Sequence, residues 1–180
     1  IKNFFVCSGF NSIGLASAGG AGRATAEWMI NGGVSEDIFC LDISRFEKFH
    51  SETKFITERV TEALGDLYAM HWPYKQNTTS RNQKLLPYHN KLKEAGACFG
   101  VGGGFERPMW YARKNQKAEY QYSFGYQNWY ESAEFETTHA RKYVALFELT
   151  PFSKFEMKGT NAHEALQYLC ANNIKDTEGN

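Results

Sequence analysis

The sequence predicts a mixed α/β chain, and three observations carry that reading. The apolar run Phe4-Phe5-Val6-Cys7 precedes a glycine-rich stretch and an apolar helical segment. Ile56, Val60, Ala63, Leu64 and Leu67 recur with the period of a helix. Cys98-Phe99-Gly100-Val101 runs into Gly102-Gly103-Gly104, as a strand enters a turn.

The first element is the richest. Between Gly9 and Gly22 five glycines fall in fourteen residues, and glycine's tolerance of positive φ lets such a segment turn sharply and aim successive N–H groups outward. Phe4 to Cys7, aromatic and β-branched, suits a buried strand. From Ala21 to Asn31 the interior polar positions are Arg23, Thr25 and Glu27, which predicts a mostly buried helix starting at the glycines and stopping at Gly32-Gly33. Unpaired N–H groups and the macrodipole at its start favour an electron-rich ligand edge. A second reading, in which the glycines serve only close packing of helix on strand, stays open at this point. Two familiar motifs are absent. Gly20-Ala21-Gly22 meets Thr25 where a dinucleotide fingerprint needs its third glycine, and Gly22-Arg23-Ala24 lacks the G-K-[ST] of a phosphate loop.

Bulk composition narrows the classes. Among 180 residues, twenty basic side chains balance twenty acidic ones, so no overall field draws the chain to nucleic acid or to an anionic membrane. Its apolar runs are too short for a bilayer span, and the N-terminus lacks the features of a secretory signal. Cys7, Cys40, Cys98 and Cys170 form no C-x-x-C pair, which predicts a reducing compartment. His50, His71, His89, His139 and His163 are scattered, so no metal is expected. The chain starts at Ile1 and ends with Thr177-Glu178-Gly179-Asn180 directly after a helix, and is expected to be a fragment.

Downstream, Asp37 to Ile43 alternates as a strand. Ser51 to Met70 should contain an amphipathic helix whose Ile56 stripe is core, with Gly65 weakening the last turn. The polar run Gln76 to Lys84 is the best linker and domain-boundary candidate. Pro87 can open a helix through Ala95, stopped by Gly96. After the strand at Cys98, Phe105 to Tyr111 returns with Pro108 holding Arg107 extended. Tyr120, Tyr122, Phe124, Tyr126, Trp129 and Tyr130 either stack on a planar ligand or pack in the core and interfaces, the second being favoured. Glu131 to Tyr143 reads as helix, Val144 to Leu149 as a strand ended by Pro151, and Phe155 to Lys158 as a half-exposed strand. Asn161 and Glu164 form a capping pair for a last helix carrying Ala162, Leu166 and Leu169.

In this order the pieces resemble a known family. Gly9-Phe10-Asn11-Ser12-Ile13-Gly14, Ala18-Gly19-Gly20-Ala21-Gly22, the helix ending Asn31-Gly32-Gly33, and Leu41-Asp42-Ile43-Ser44-Arg45-Phe46 resemble the end of the flavin domain in dimethylglycine and sarcosine dehydrogenases. Leu86-Pro87-Tyr88-His89-Asn90-Lys91-Leu92, Gly104-Phe105-Glu106-Arg107-Pro108-Met109-Trp110 and the stretch from Val144 to Phe155 are similar to the opening of their aminomethyltransferase-like, folate-binding domain.

The resemblance implies three modules: residues 1–45 as the end of a FAD-dependent oxidoreductase domain, 46–84 as a small central domain, and 85–180 as the N-terminal part of the folate-binding domain. It implies FAD and tetrahydrofolate as cofactors, a small methylated amine as substrate, a separate electron acceptor, and a bacterial cytoplasmic or mitochondrial matrix location. The implied reaction oxidises an N-methyl amine by hydride transfer to FAD and passes the one-carbon unit to tetrahydrofolate at a second site. In the family, the segment matching Asn11, Ser12, Ile13, Gly14, Leu15 and Ala16 passes beside the flavin, its backbone amides directed at the pyrimidine end. Fixed N–H dipoles there would stabilise the charge that reduction brings. Related amine oxidases can carry a lysine where this sequence has Ala16. The resemblance assigns no catalytic residue within the chain. A regulatory protein of the same architecture, like the regulatory subunit of pyruvate dehydrogenase phosphatase, resembles the same modules, and a separate one-carbon transfer module is the third reading.

Overall fold

Alternating large side chains around a glycine turn make the region from Ala97 to Tyr111 a hairpin. The computed structural model describes residues 3–174 and pairs β1 (Ala97–Gly102) antiparallel with β2 (Phe105–Tyr111). Gly103 and Gly104 connect them with φ of 59° and 79°. Positive φ at both central residues is the primed turn that matches strand twist, and an L side chain at either position would be strained. Cys98 faces Trp110, and a register shift follows between Cys98 and Phe99. The buried core gathers here: Leu86, Ala97, Cys98, Trp110, Glu106 and Ser132.

The structure thus mixes helices with one small sheet among the described residues. It divides into two units, Ile1–Val144 and Ala145–Asn180.

In the first unit, α1 runs Gly14–Asn31. It therefore begins seven residues before the expected start at Ala21, and Gly19, Gly20 and Gly22 lie within it. Leu15, Ala16 and Ala18 are strong helix formers that offset the glycines, each costing about 1 kcal/mol relative to alanine. A Cβ added at Gly19, Gly20 or Gly22 would meet nothing within 4 Å, so close packing does not account for these glycines. The helix was expected to be mostly buried, yet none of its residues is buried. Phe4 to Cys7 form no strand; with no partner strand among the described residues there is no ladder, and Phe5 instead meets Trp28 edge to face at 5.1 Å. Gly32 closes the helix in the left-handed conformation, its N–H donating to Trp28 O.

The strand expected over Asp37 to Ile43 is likewise replaced, by two single 3-10 turns at Phe39–Leu41 and Ile43–Arg45. Asp42 explains the second, because its carboxylate accepts from Ser44 N at 2.7 Å and curls the chain locally.

Helix α2 (Thr53–Asp66) forms within the expected span but is turned the other way. Ile56, Val60 and Leu64 are exposed, while Glu58, Arg59, Glu62 and Asp66 face the segment from Lys75 to Ser80. Ser80 Oγ donates to Glu58 at 2.7 Å, Arg59 donates to Thr79 O at 2.6 Å, and Lys75 pairs with Asp66. Glu62 accepts from Thr78 N at 2.6 Å, Thr78 Oγ1 at 2.9 Å, Thr79 N at 3.1 Å and Thr79 Oγ1. The inward face is therefore held chiefly by hydrogen bonds, with Phe55 packing on Phe49 at 5.3 Å.

Those bonds also correct the linker reading of Gln76 to Lys84. Besides Thr78, Thr79 and Ser80, Gln76 N–H donates to Tyr122 Oη at 2.9 Å and Gln76 Oε1 accepts from Val101 N at 3.0 Å. Lys84 Nζ reaches Glu47 at 2.6 Å and lies over the Phe105 ring. Polar residues hold this segment because charged and backbone partners meet each of them.

Helix α3 (His89–Glu94) ends at Gly96, whose φ of 88° and close approach to Ala112 O suit glycine alone. Helix α4 (Tyr130–Lys142) packs on β2: Glu136 accepts from Tyr111 N at 2.8 Å, and buried Ser132 donates to Gln116 Oε1 at 2.8 Å.

In the second unit, α5 (Ala162–Leu169) appears where helical spacing placed it. Asn161 makes no side-chain cap bond, so the expected capping pair does not form. The strands expected at Val144 to Leu149 and Phe155 to Lys158 are irregular, exposed chain. No strand lies beside them among the described residues, and Lys154 Nζ ties Leu149 O and Thr150 O into a loop instead.

Candidate functional site

All six residues expected to face a flavin, Asn11 to Ala16, lie in one turn at the start of α1. Asn11 and Ser12 take left-handed φ of 45° and 70°, which reverses the chain so that Ile13 N–H donates to Phe10 O at 2.9 Å. The first helical bond is Ser17 N–H to Ile13 O at 3.0 Å. Gly14, Leu15 and Ala16 therefore present N–H groups with no acceptor inside the helix. No acidic side chain occupies the first turn to oppose the positive end of the dipole. Leu15 is fully exposed. The donor set, three backbone N–H groups without a competing carboxylate, has the chemistry an electron-rich heterocycle edge requires.

A second constellation escaped sequence reading. Glu106 on β2 is 2 % exposed. Its Oε1 accepts from Arg81 Nε at 2.7 Å and Asn82 N at 2.8 Å, and its Oε2 pairs with Arg81 Nη2. Arg81 also donates to Asn77 O at 3.0 Å and Phe99 O at 3.1 Å. Burial pushes the Glu106 carboxyl up, but the Arg81 and Asn82 hydrogen bonds outweigh it and leave the group below the ordinary glutamate value. Burial raises the neighbouring Cys98 thiol to about 11 and the Tyr120 hydroxyl to about 12. The node therefore holds its charge as a fixed pair and offers no activated nucleophile. Local sequence carried no signal for it: the partners stand 25 residues apart, and the register shift between Cys98 and Phe99 breaks the two-residue alternation along β2.

The aromatic segment divides between the two readings left open for it. Tyr120 stacks on Tyr122 at 5.7 Å and meets Trp110 edge-on, as packing. Tyr126, Trp129 and Tyr130, with Tyr74, instead line an open groove of about 640 Å³.

Two family models match the chain in succession. Residues 31–85 match the FAD dependent oxidoreductase central domain, and residues 88–180 match the GCVT N-terminal domain. The chain belongs to the GCVT N-terminal domain family, here preceded by the FAD dependent oxidoreductase central domain. It is 42% identical over 167 residues, 93% of its length, to 4-methylaminobutanoate oxidase (formaldehyde-forming) of Paenarthrobacter nicotinovorans. It is 33% identical over 179 residues, 97% of its length, to the mitochondrial pyruvate dehydrogenase phosphatase regulatory subunit of Mus musculus. Identity to the mitochondrial dimethylglycine dehydrogenase of Rattus norvegicus is 28% over 174 residues, again 97% of the chain. In each case the chain spans about a fifth (20%) of the relative's length. The resemblance read from the sequence to dimethylglycine and sarcosine dehydrogenases is shown by these matches.

No helix among the described residues is long and apolar enough to cross a membrane.

Proposed function

We propose that the protein carrying this chain is an FAD-dependent N-methyl amine dehydrogenase that couples amine oxidation to one-carbon transfer onto tetrahydrofolate. The observation that carries the reading is the succession, in one chain, of a FAD dependent oxidoreductase central domain and a GCVT N-terminal domain. Relatives whose names specify 4-methylaminobutanoate and dimethylglycine support the substrate class. The modules are 1–45, 46–84 and 85–180, and the chain by itself is inactive.

Asn11 to Ala16 would hold the pyrimidine end of the flavin. Bound FAD would supply a hydride acceptor for the N-methyl carbon. What the chain adds is electrostatic: the N–H groups of Gly14, Leu15 and Ala16 and the start of α1 favour negative charge on the ligand edge beside them. With Ala16 in place of a lysine, backbone and dipole are this segment's means of doing so.

Recovering the full reading frame and expressing it tests the proposal. A bound yellow chromophore bleached by dimethylglycine, sarcosine or 4-methylaminobutanoate is the expected result. Leu15→Glu, at a fully exposed position, should weaken flavin retention and shift its potential to more negative values. Well-folded protein without flavin would instead favour a second reading, a regulatory protein of the same architecture, which the 33% identity to the phosphatase regulatory subunit motivates.

A further inference from the structure

The groove beside α4 has the composition of a cation site. Two ring pairs frame it: Tyr74 meets Trp129 edge-on at 5.1 Å, and Tyr126 tilts on Tyr130 at 4.7 Å. Tyr74 is held at φ 61°, a left-handed conformation that a bulky residue adopts only when its surroundings impose it. Among the described residues, Glu134 is the only charged residue lining the groove, and no lysine or arginine lines it. On its wall, Trp129 Nε1 and Gln127 Oε1 are buried with no hydrogen-bond partner among the described residues. Gln127 Nε2 donates to Ser123 O at 2.6 Å and Gly125 O at 3.1 Å, which fixes the amide and leaves its oxygen as the orphan.

Aromatic faces carry negative quadrupole density and attract weakly hydrated cations, most of all ammonium groups whose hydrogens are replaced by methyls. A carboxylate at the rim adds charge complementarity, and the absence of a lining base leaves the cation position open. We propose that this groove binds a small N-methylated ammonium ion, the methyls against Tyr126, Trp129 and Tyr130 and the charge beside Glu134. The inference stands apart from the flavin reading, since it uses none of residues 11 to 16.

Choline is the probe, titrated by calorimetry into the complete protein, with its uncharged isostere, in which carbon replaces nitrogen, as the control. Choline should bind saturably and about tenfold or more tighter than the isostere. Glu134→Gln and Tyr126→Leu, both at exposed positions, should each weaken choline binding by about threefold to tenfold while far-ultraviolet circular dichroism is unchanged. The proposal is overturned if choline does not saturate, if the isostere binds as tightly, or if both variants keep full affinity, which would place choline elsewhere on the protein.

Discussion

Arg81 and Glu106 meet side-on, Nε to Oε1 at 2.7 Å with Nη2 closing on Oε2, and so join the end of the segment matched to the central domain to a strand of the GCVT-matched region. Two parallel bonds give the pair an orientation as well as an attraction, and three further bonds, from Asn82 N and to Asn77 O and Phe99 O, leave little of either group unsatisfied.

Removing the cation leaves Glu106 charged and buried. Arg81→Ala should therefore cost about 3–5 kcal/mol in chemical denaturation, more than a surface ion pair would. Arg81→Lys should recover only part of the loss, because a lysine ammonium cannot reproduce the two-point geometry.

Glu62 gives a pH-dependent prediction. Burial raises its carboxyl, but the hydroxyls and N–H groups of Thr79 and Thr78 together bring it down to about 2. A carboxyl depressed in the folded state contributes stability above the unfolded value of about 4.5, and that contribution is lost as pH falls through about 2. Unfolding followed from neutral to acid pH should thus show a loss over this window. Glu62→Gln should lower neutral-pH stability by about 1–3 kcal/mol and flatten the acid limb.

Gly100 is fixed by its neighbours, not by its backbone angles. A Cβ there would lie 2.8 Å from Gln76 Oε1 and 2.9 Å from Met109 Cε. Gly100→Ala should displace Gln76 from Val101 N and cost about 1–3 kcal/mol. Gln76→Ala should absorb part of that cost, so the double variant is less destabilised than the two single effects added together, as a double-mutant cycle reads directly.

Thiol reactivity should separate the cysteines. Cys7, Cys40 and Cys170 are exposed, whereas Cys98 is buried with its thiol raised to about 11. Maleimide labelling of the native protein should modify the first three and reach Cys98 only after denaturant is added.

Some of the fold was legible in advance because local rules decided it. The hairpin followed from β-favouring residues on either side of Gly103-Gly104, α2 from its period, and the end of α3 from Gly96. Where partners had to be supplied by distant chain, local reading failed. Phe4 to Cys7, Asp37 to Ile43 and Val144 to Leu149 have strand composition, but no neighbouring strand completes a ladder among the described residues. The Ile56 stripe marked an amphipathic helix correctly and its inward face wrongly, because the competing face found hydrogen-bond partners nine to twenty-two residues onward. At the candidate flavin turn, Asn11 to Ala16 came from the resemblance, and the helix start moved from Ala21 to Gly14. The Arg81 and Glu106 pair needed knowledge that segments 25 residues apart would meet.

The tethering of the stretch from Gln76 to Lys84 has one more consequence. By composition it invites a protease, with Arg81 and Lys84 offering trypsin its preferred bonds. Cleavage needs several residues to lift away as slack chain, and here each lift must first unmake bonds to Glu62, Glu106 and Val101. A stretch with the make-up of a hinge therefore behaves as a splint, and a nick there would report prior unfolding rather than native looseness.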